Sequence, residues 1–271
     1  MSDPINDLWV NSTIRIENEQ GKFGTGFLIQ KNTKKILVTN KHVLHECRSK
    51  RESTNFVYLH INISEDEQII GKRIQFNLHA DEHKLWTEHP DVQVDVLGID
   101  VSTIYECYPN MVVKPVDSTL ICDRSYLQQY NIVSGRQIVV LGYPLTVQHT
   151  TNVPMRIPGS IVSQIGQNIR DKWKNPDTGE TEDRIIRGFL IESNVAIGSS
   201  GSPVVLDTVI NIFGGEQNTI GRPFPPFLLG ILAEEKFTYI DTPGSGVQPS
   251  YSGLTVVFSA ETIIDVINLF S

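Results

Sequence analysis

Residues 198–203 read Gly-Ser-Ser-Gly-Ser-Pro and separate two apolar runs that have the composition of β-strands. The first run is Gly-Phe-Leu-Ile-Glu-Ser at 188–193, and the second is Val-Val-Leu at 204–206. Glycine supplies the backbone angles of a sharp bend, so the pattern predicts a strand, a tight loop and a second strand. The loop makes Ser200 a candidate nucleophile, and an ordinary Gly/Ser/Pro turn is the alternative interpretation.

A candidate base and a candidate acid precede this serine in the chain. His42 directly follows the short apolar strand predicted at 36–40, which favours it over His45 and the other five histidines. Asp95 stands near the start of the apolar run at 94–101. A serine hydroxyl needs an adjacent base to take its proton, and the imidazole needs a third group to hold its tautomer. Two further aspartates remain alternatives for that third group: Asp91 and Asp100.

Together these segments resemble the trypsin-like (chymotrypsin-fold) serine proteases, and most of all the bacterial branch that includes HtrA-type and glutamyl endopeptidases. The chain order His, Asp, Ser is the order of that family. Other segments that resemble the family follow in the same order: Gly-Thr-Gly-Phe at 24–27, Leu-Gly-Tyr-Pro at 141–144, Leu-Gly-Ile at 229–231 and Phe-Ser-Ala at 258–260.

The resemblance, together with the recurring short strand patterns, implies an all-β fold of two packed six-stranded antiparallel β-barrels with a C-terminal α-helix. We expect an N-terminal barrel at 1–115 that carries the histidine and the aspartate. An interbarrel linker at 116–134 follows. The C-terminal barrel at 135–259 carries the serine, and a helix at 260–271 ends the chain.

The resemblance also implies a serine endopeptidase that hydrolyses peptide bonds through an acyl-enzyme, with His42, Asp95 and Ser200 as its triad. The backbone N–H groups of Gly198 and Ser200 would form the oxyanion hole. A catalytically inactive protease-fold module that binds proteins is the alternative. An esterase of the α/β-hydrolase type is disfavoured, because that fold places its histidine after the serine. We predict no cofactor and no metal site, since no cluster of ligand residues has convincing zinc spacing.

The predicted substrate-binding residues are Asn194, Ile231, Leu232 and Ala233. Members of the family that cleave after Lys or Arg carry an aspartate where this chain has Asn194, and glutamyl endopeptidases carry a histidine where it has Leu232. Their replacement by uncharged residues favours a small or apolar residue before the cleaved bond. Two alternatives remain: Leu232 is equally explained as barrel core, and Glu234 and Glu235 would reverse the preference if a loop folds them inward.

Composition limits the remaining choices. The 271 residues carry a formal net charge of −8, which disfavours nucleic acid or an anionic membrane as the main partner. Three cysteines give no disulfide framework, and the N-terminus lacks the pattern of a secretion signal. We therefore expect a cytoplasmic enzyme with a protein or peptide substrate. Ser199 replaces the aspartate of zymogen-activated relatives, so we expect control by a regulatory protein partner, by oligomerisation or by a malleable loop around 196–199.

Overall fold

The computed structural model describes residues 4–45, 54–81, 83–144, 152–174, 178–207, 225–242 and 246–270. The strands of the first half are β1 Thr13–Asn18, β2 Phe23–Lys31, β3 Lys34–Thr39, β4 Phe56–Glu65, β5 Gln68–Asn77, β6 His79–Ala80, β7 His83–Lys84, β8 Trp86–Glu88, β9 Leu97–Asp100 and β10 Val116–Asp117. Within the described ranges, eight of them form one sheet in the order β5-β4-β1-β2-β3-β9-β8, and β10 pairs parallel with β2. The two-residue strands β6 and β7 form a separate hairpin.

Strand β3 lies at the centre of this arrangement, because both of its faces are apolar. Ile36 and Val38 pack in the larger of two hydrophobic cores, whereas Leu37 packs in the smaller one. Successive side chains of a strand point to opposite faces, so an uninterrupted Ile-Leu-Val run suits a strand that is covered on both sides. This burial fixes the position of the strand end that leads to His42.

The second half contains a closed antiparallel barrel in the strand order β11-β12-β15-β18-β17-β16. Its strands are β11 Gln137–Gly142, β12 Met155–Ile161, β15 Gly188–Ser193, β16 Pro203–Leu206, β17 Leu228–Thr242 and β18 Gly246–Ser259. A separate hairpin joins β13 Ile169–Lys174 to β14 Thr181–Ile186. The larger core combines side chains of the barrel with Phe27 and Ile29 of β2, so the two halves share one apolar interior.

Five α-helices accompany the strands in the described ranges: α1 Pro4–Ser12, α2 Lys41–Leu44, α3 Ser102–Cys107, α4 Arg124–Gln129 and α5 Ala260–Ile267. Trp9 of α1 is fully buried, and its indole N–H donates to the carbonyl of Pro226 at 2.6 Å. The C-terminal helix α5 buries Ile263 and Val266 and contacts both β9 and β17. The first and last helices therefore each connect the two halves of the chain.

The all-β class, the six-stranded C-terminal barrel and the terminal helix are confirmed. The first half differs in detail from the expected six-stranded barrel, because its sheet contains eight strands and includes one parallel pair. The first six residues of β5 are exposed or half-buried, including Ile69 and Ile70, so this part of the strand lies outside the core. The predicted linker at 116–134 contains β10, a short 3₁₀ helix at Ser118–Leu120 and α4.

Cys107 is exposed and Cys122 is buried, and both are free thiols, while Cys47 lies outside the described residues. None of the helices in the described segments has the length and apolar character needed to cross a membrane.

Candidate active site

His42 lies just beyond the end of β3, on the short helix α2. Strand β3 pairs with β9 so that Thr39 is opposite Leu97, and extending this antiparallel register brings the residues before β9 next to those after β3. The side-chain amide of Asn40 donates to the main-chain carbonyl of Asp95 at 2.7 Å and joins the two segments. The pairing of these strand ends therefore places Asp95 beside His42.

The Asp95 carboxylate contacts His42 twice. Its Oδ1 accepts the backbone N–H of His42 at 3.2 Å, and its Oδ2 bonds to Nδ1 of the imidazole. The carboxylate of Asp91 accepts a nearby backbone N–H, and that of Asp100 accepts the ammonium of Lys34 at 2.7 Å. Of the three aspartates considered from the sequence, Asp95 is therefore the one in contact with His42.

The pKa values of this pair shift in opposite directions. Desolvation alone would lower the pKa of His42, but the charge and hydrogen bond of Asp95, with a smaller contribution from Glu234, raise it above the ordinary value. Desolvation alone would raise the pKa of Asp95, but the charge and hydrogen bonds of His42, with the charge of Lys41, lower it. When Nδ1 of the neutral imidazole donates to a carboxylate, Nε2 is left free to accept a proton.

Lys41 is buried next to this pair and holds the loop that carries Asp95. Its ammonium donates to the main-chain carbonyls of His89 at 3.0 Å and Asp91 at 3.2 Å, and it lies 3.8 Å from the carboxylate of Glu88. The sequence does not indicate that this lysine is buried, because a lysine beside a strand end is ordinarily a solvated charge.

Ser200 lies in the loop at 194–202 between β15 and β16, which we call the serine loop. Two glycines shape this loop. Gly198 has a φ of +98° and Gly201 a φ of +86°, a region that other residues rarely adopt. A Cβ at Gly201 would lie 2.0 Å from the main-chain oxygen of Thr25. The loop therefore packs directly against β2, and this close approach requires glycine at position 201.

Thr25 of β2 is fully buried and connects the serine loop to the first half of the chain. Its N–H donates to the carbonyl of Ser200 at 2.8 Å, and its hydroxyl donates to the carbonyl of Gly198 at 2.9 Å. The same hydroxyl accepts the N–H of Tyr143 at 3.1 Å, and the carbonyl of Thr25 accepts the hydroxyl of Thr39 at 2.7 Å. Because Thr39 ends β3, Thr25 joins the serine loop to the strand end that leads to the candidate base.

The backbone N–H groups of Gly198 and Ser200 are among those of the serine loop that have no acceptor within the described residues. The N–H between them, of Ser199, donates to the carbonyl of Ala196 at 3.0 Å. This bond closes a turn with Gly198 at its third position, where a positive φ is the mark of a type II turn. The loop thus keeps two donors available for an oxygen atom of a ligand.

The hydroxyl of Ser200 donates to the carbonyl of Ala233 at 3.4 Å, its one hydrogen bond within the part of the chain that the structure describes. It is therefore not bonded to His42 in this state. By contrast, the buried hydroxyls of Ser199 and Ser202 in the same loop lack a partner among the described residues. No local sequence pattern indicates that these two hydroxyls are buried.

The predicted substrate-binding residues occupy different environments. Asn194 is exposed where β15 ends. Ile231 and Leu232 are 0% and 3% exposed and belong to the larger core, so their side chains contribute to barrel packing. Ala233 is also buried, but its carbonyl faces the Ser200 hydroxyl. Of this set, the backbone of Ala233 is the part in contact with the serine.

Comparison with known proteins agrees with this geometry. Residues 24–209 match the family described as "Trypsin-like peptidase domain". The active form of the Rv3671c protease from M. tuberculosis is similar in structure, with a TM-score of 0.54 and 18% identity over 98% of this chain and 83% of that one. An inactive form of a mutant of Rv3671c from M. tuberculosis H37Rv has a TM-score of 0.51 and 17% identity, over 99% and 90% of the two chains. At these identities the likeness concerns the fold. No curated protein sequence matches the chain.

We expect the imidazole of His42 to titrate above its ordinary pKa of 6.5, because the charge of Asp95 stabilises the protonated ring. Asp95→Asn removes that charge and is expected to lower the midpoint, which an NMR titration of the ring signals measures. His60 is an internal control: desolvation lowers its pKa despite its hydrogen bond to Glu17, and the substitution leaves that environment intact. A His42 midpoint at or below 6.5, or one that Asp95→Asn leaves unchanged, would contradict this account.

Thr25→Val keeps the shape of the side chain but removes its hydroxyl, which leaves the carbonyl of Gly198 and the N–H of Tyr143 without their partner. A buried polar group without a hydrogen bond costs about 1–3 kcal/mol, so we expect at least this loss in the free energy of unfolding. Thr25→Ser keeps the hydroxyl and is the matched control. Urea denaturation of the two variants measures the difference, and equal stabilities would show that these hydrogen bonds do not hold the loop.

Proposed function

Because the chain belongs to the family of trypsin-like peptidase domains, we propose that it is a serine endopeptidase that acts on a protein or peptide substrate. In this proposal Ser200 is the nucleophile, His42 is the general base and Asp95 orients the imidazole. The observation that carries it is the hydrogen bond between the Asp95 carboxylate and Nδ1 of His42. His42 follows the end of β3, and Thr25 bonds both to that strand end and to the serine loop.

The first half of the reaction forms an acyl-enzyme. The Ser200 hydroxyl rotates from the carbonyl of Ala233 toward the imidazole, and Nε2 of His42 takes its proton as Oγ attacks the carbonyl carbon of the substrate. The carbonyl oxygen becomes an oxyanion, which the N–H groups of Gly198 and Ser200 stabilise by hydrogen bonds. The C–N bond then breaks, and the imidazolium returns the proton to the leaving amine.

The second half of the reaction releases the acid product. A water molecule gives one proton to His42, and its oxygen attacks the ester carbon of the acyl-enzyme. The second oxyanion collapses, the bond to Ser200 breaks, and the imidazolium protonates Oγ. The negative charge of Asp95 favours the imidazolium in both halves, in agreement with the direction of the His42 pKa shift.

One observation favours a second candidate, a protease-fold module that binds proteins without cleaving them. The Ser200 hydroxyl is bonded to the carbonyl of Ala233 and not to His42 in this state. Catalytic hydrogen bonds are often long or misaligned before a substrate binds, so this geometry does not exclude the enzyme. Chemical reactivity of the serine separates the two candidates.

We expect a fluorophosphonate probe to label the folded protein at Ser200, and Ser200→Ala to abolish labelling. His42→Ala is expected to abolish it as well and to lower kcat for peptide cleavage by about 10⁶-fold, because the serine then has no base. Intact-mass spectrometry and a peptide assay measure the two effects. Absence of labelling in folded protein would support the binding module, and labelling that survives His42→Ala would indicate different chemistry.

A further inference from the structure

The acidic pair Glu234 and Glu235 follows directly after Ala233, whose carbonyl faces the candidate nucleophile. Two cations neutralise Glu234, and they are Arg184 of β14 and Lys236 of β17 itself. The ammonium of Lys236 lies 2.7 Å from the Glu234 carboxylate, and both cations also bind Asp171 of β13. Two carboxylates and two cations balance in this cluster, so Glu234 has no charge left for a substrate.

Glu235 faces the other side of β17. The ladder with β18 pairs Leu232 with Val257 and Glu235 with Thr255, with an irregularity at Ala233 between them. Residues directly opposite each other in a ladder project to the same face, and Thr255 is fully buried. Thr255 is in turn opposite Ile191 of β15, whose side chain lies in the core. This register places the Glu235 carboxylate on the inner face of the barrel, at its end.

This end of the barrel is also where the serine lies. Ala233 accepts the Ser200 hydroxyl at 3.4 Å, and Leu232 accepts the N–H of Gly201 at 2.9 Å. Glu235 is two residues beyond Ala233 along the strand, a separation of roughly 7 Å.

No hydrogen bond or ion pair engages the Glu235 carboxylate within the described ranges, and burial raises its pKa. A partly buried carboxylate without a partner is unfavourable, and a cation that enters beside it relieves this cost. Asn194 is exposed where β15 ends, on the next strand but one. The ammonium of lysine and the guanidinium of arginine are the peptide side chains with the complementary charge.

We propose that Glu235 is a specificity-determining residue that selects Lys or Arg as the residue whose carbonyl Ser200 attacks. The inference rests on the proposed function and deepens it. It reverses the preference for a small or apolar residue that the uncharged Asn194 and Leu232 favoured. Leu232 packs in the core, and the carboxylate that faces the barrel end comes from β17 itself.

The test is mass-spectrometric mapping of cleavage sites in a peptide library, followed by kcat/KM for matched peptides with Lys, Arg or Leu before the cleaved bond. We expect the wild-type protein to cleave mainly after Lys and Arg. Glu235→Gln is expected to lower kcat/KM for these two peptides by about 10- to 100-fold, the effect of one charge-assisted hydrogen bond, and to change the Leu peptide little. Glu192→Gln is the matched control, because Glu192 is exposed on β15 and is expected to leave the preference unchanged.

Cleavage mainly after apolar residues, or a basic preference that survives Glu235→Gln, would overturn the inference and leave the peptidase proposal intact. A basic preference lost equally in Glu192→Gln would also overturn it, because the effect would then come from overall charge. Failure of the folded protein to cleave any peptide and to react with a fluorophosphonate would instead contradict the proposed function itself.

Discussion

The buried hydrogen bonds of Thr25 are the interaction on which the candidate site depends. The serine loop belongs to the C-terminal barrel and the histidine to the first sheet, so a contact between the halves must set their relative position. Thr25 provides it through its own N–H and hydroxyl, and its carbonyl accepts the hydroxyl of Thr39 at the end of β3. In a buried site each of these groups needs a partner, so the bonds form together or leave polar atoms unpaired. The shared core and the connecting helices maintain the same contact on a larger scale.

The serine loop adopts backbone angles that are open mainly to glycine at Gly198 and Gly201. Ordering such residues costs conformational entropy, and the hydrogen bonds to Thr25 offset part of that cost. The result is a turn in which the N–H groups of Gly198 and Ser200 have no acceptor among the described residues and are available to a ligand oxygen. Backbone geometry of this kind is commonly concentrated at functional sites.

Much of this arrangement follows from the sequence, and the remainder depends on pairing between distant segments. An apolar run that ends directly before His42, and a glycine-rich loop between two strands, point to the base and the nucleophile. The choice of Asp95 over Asp91 and Asp100 needs the register of β3 with β9, which no local pattern contains. Thr25 belongs to the family-like segment Gly-Thr-Gly-Phe at 24–27, but a threonine in a strand indicates only β-propensity.

Two further differences have the same origin. Ile231 and Leu232 have the pattern of a strand beside the cleft, but β17 is covered on both faces here, so both side chains lie in the larger core. The β4–β5 hairpin has the sequence pattern of two ordinary strands, but the first six residues of β5 lie outside the core. Local composition predicts the elements, and only their three-dimensional packing decides which residues face the serine.

We propose that the imidazole of His42, polarised by Asp95, serves as the base for the Ser200 hydroxyl in the other half of the molecule. The decisive measurement is the pH dependence of the rate at which a fluorophosphonate modifies Ser200. We expect this rate to rise with pH, with a midpoint that equals the His42 pKa measured by NMR and falls with it in Asp95→Asn. If the rate is independent of pH where the imidazole titrates, or if its midpoint does not follow His42, then His42 is not the base.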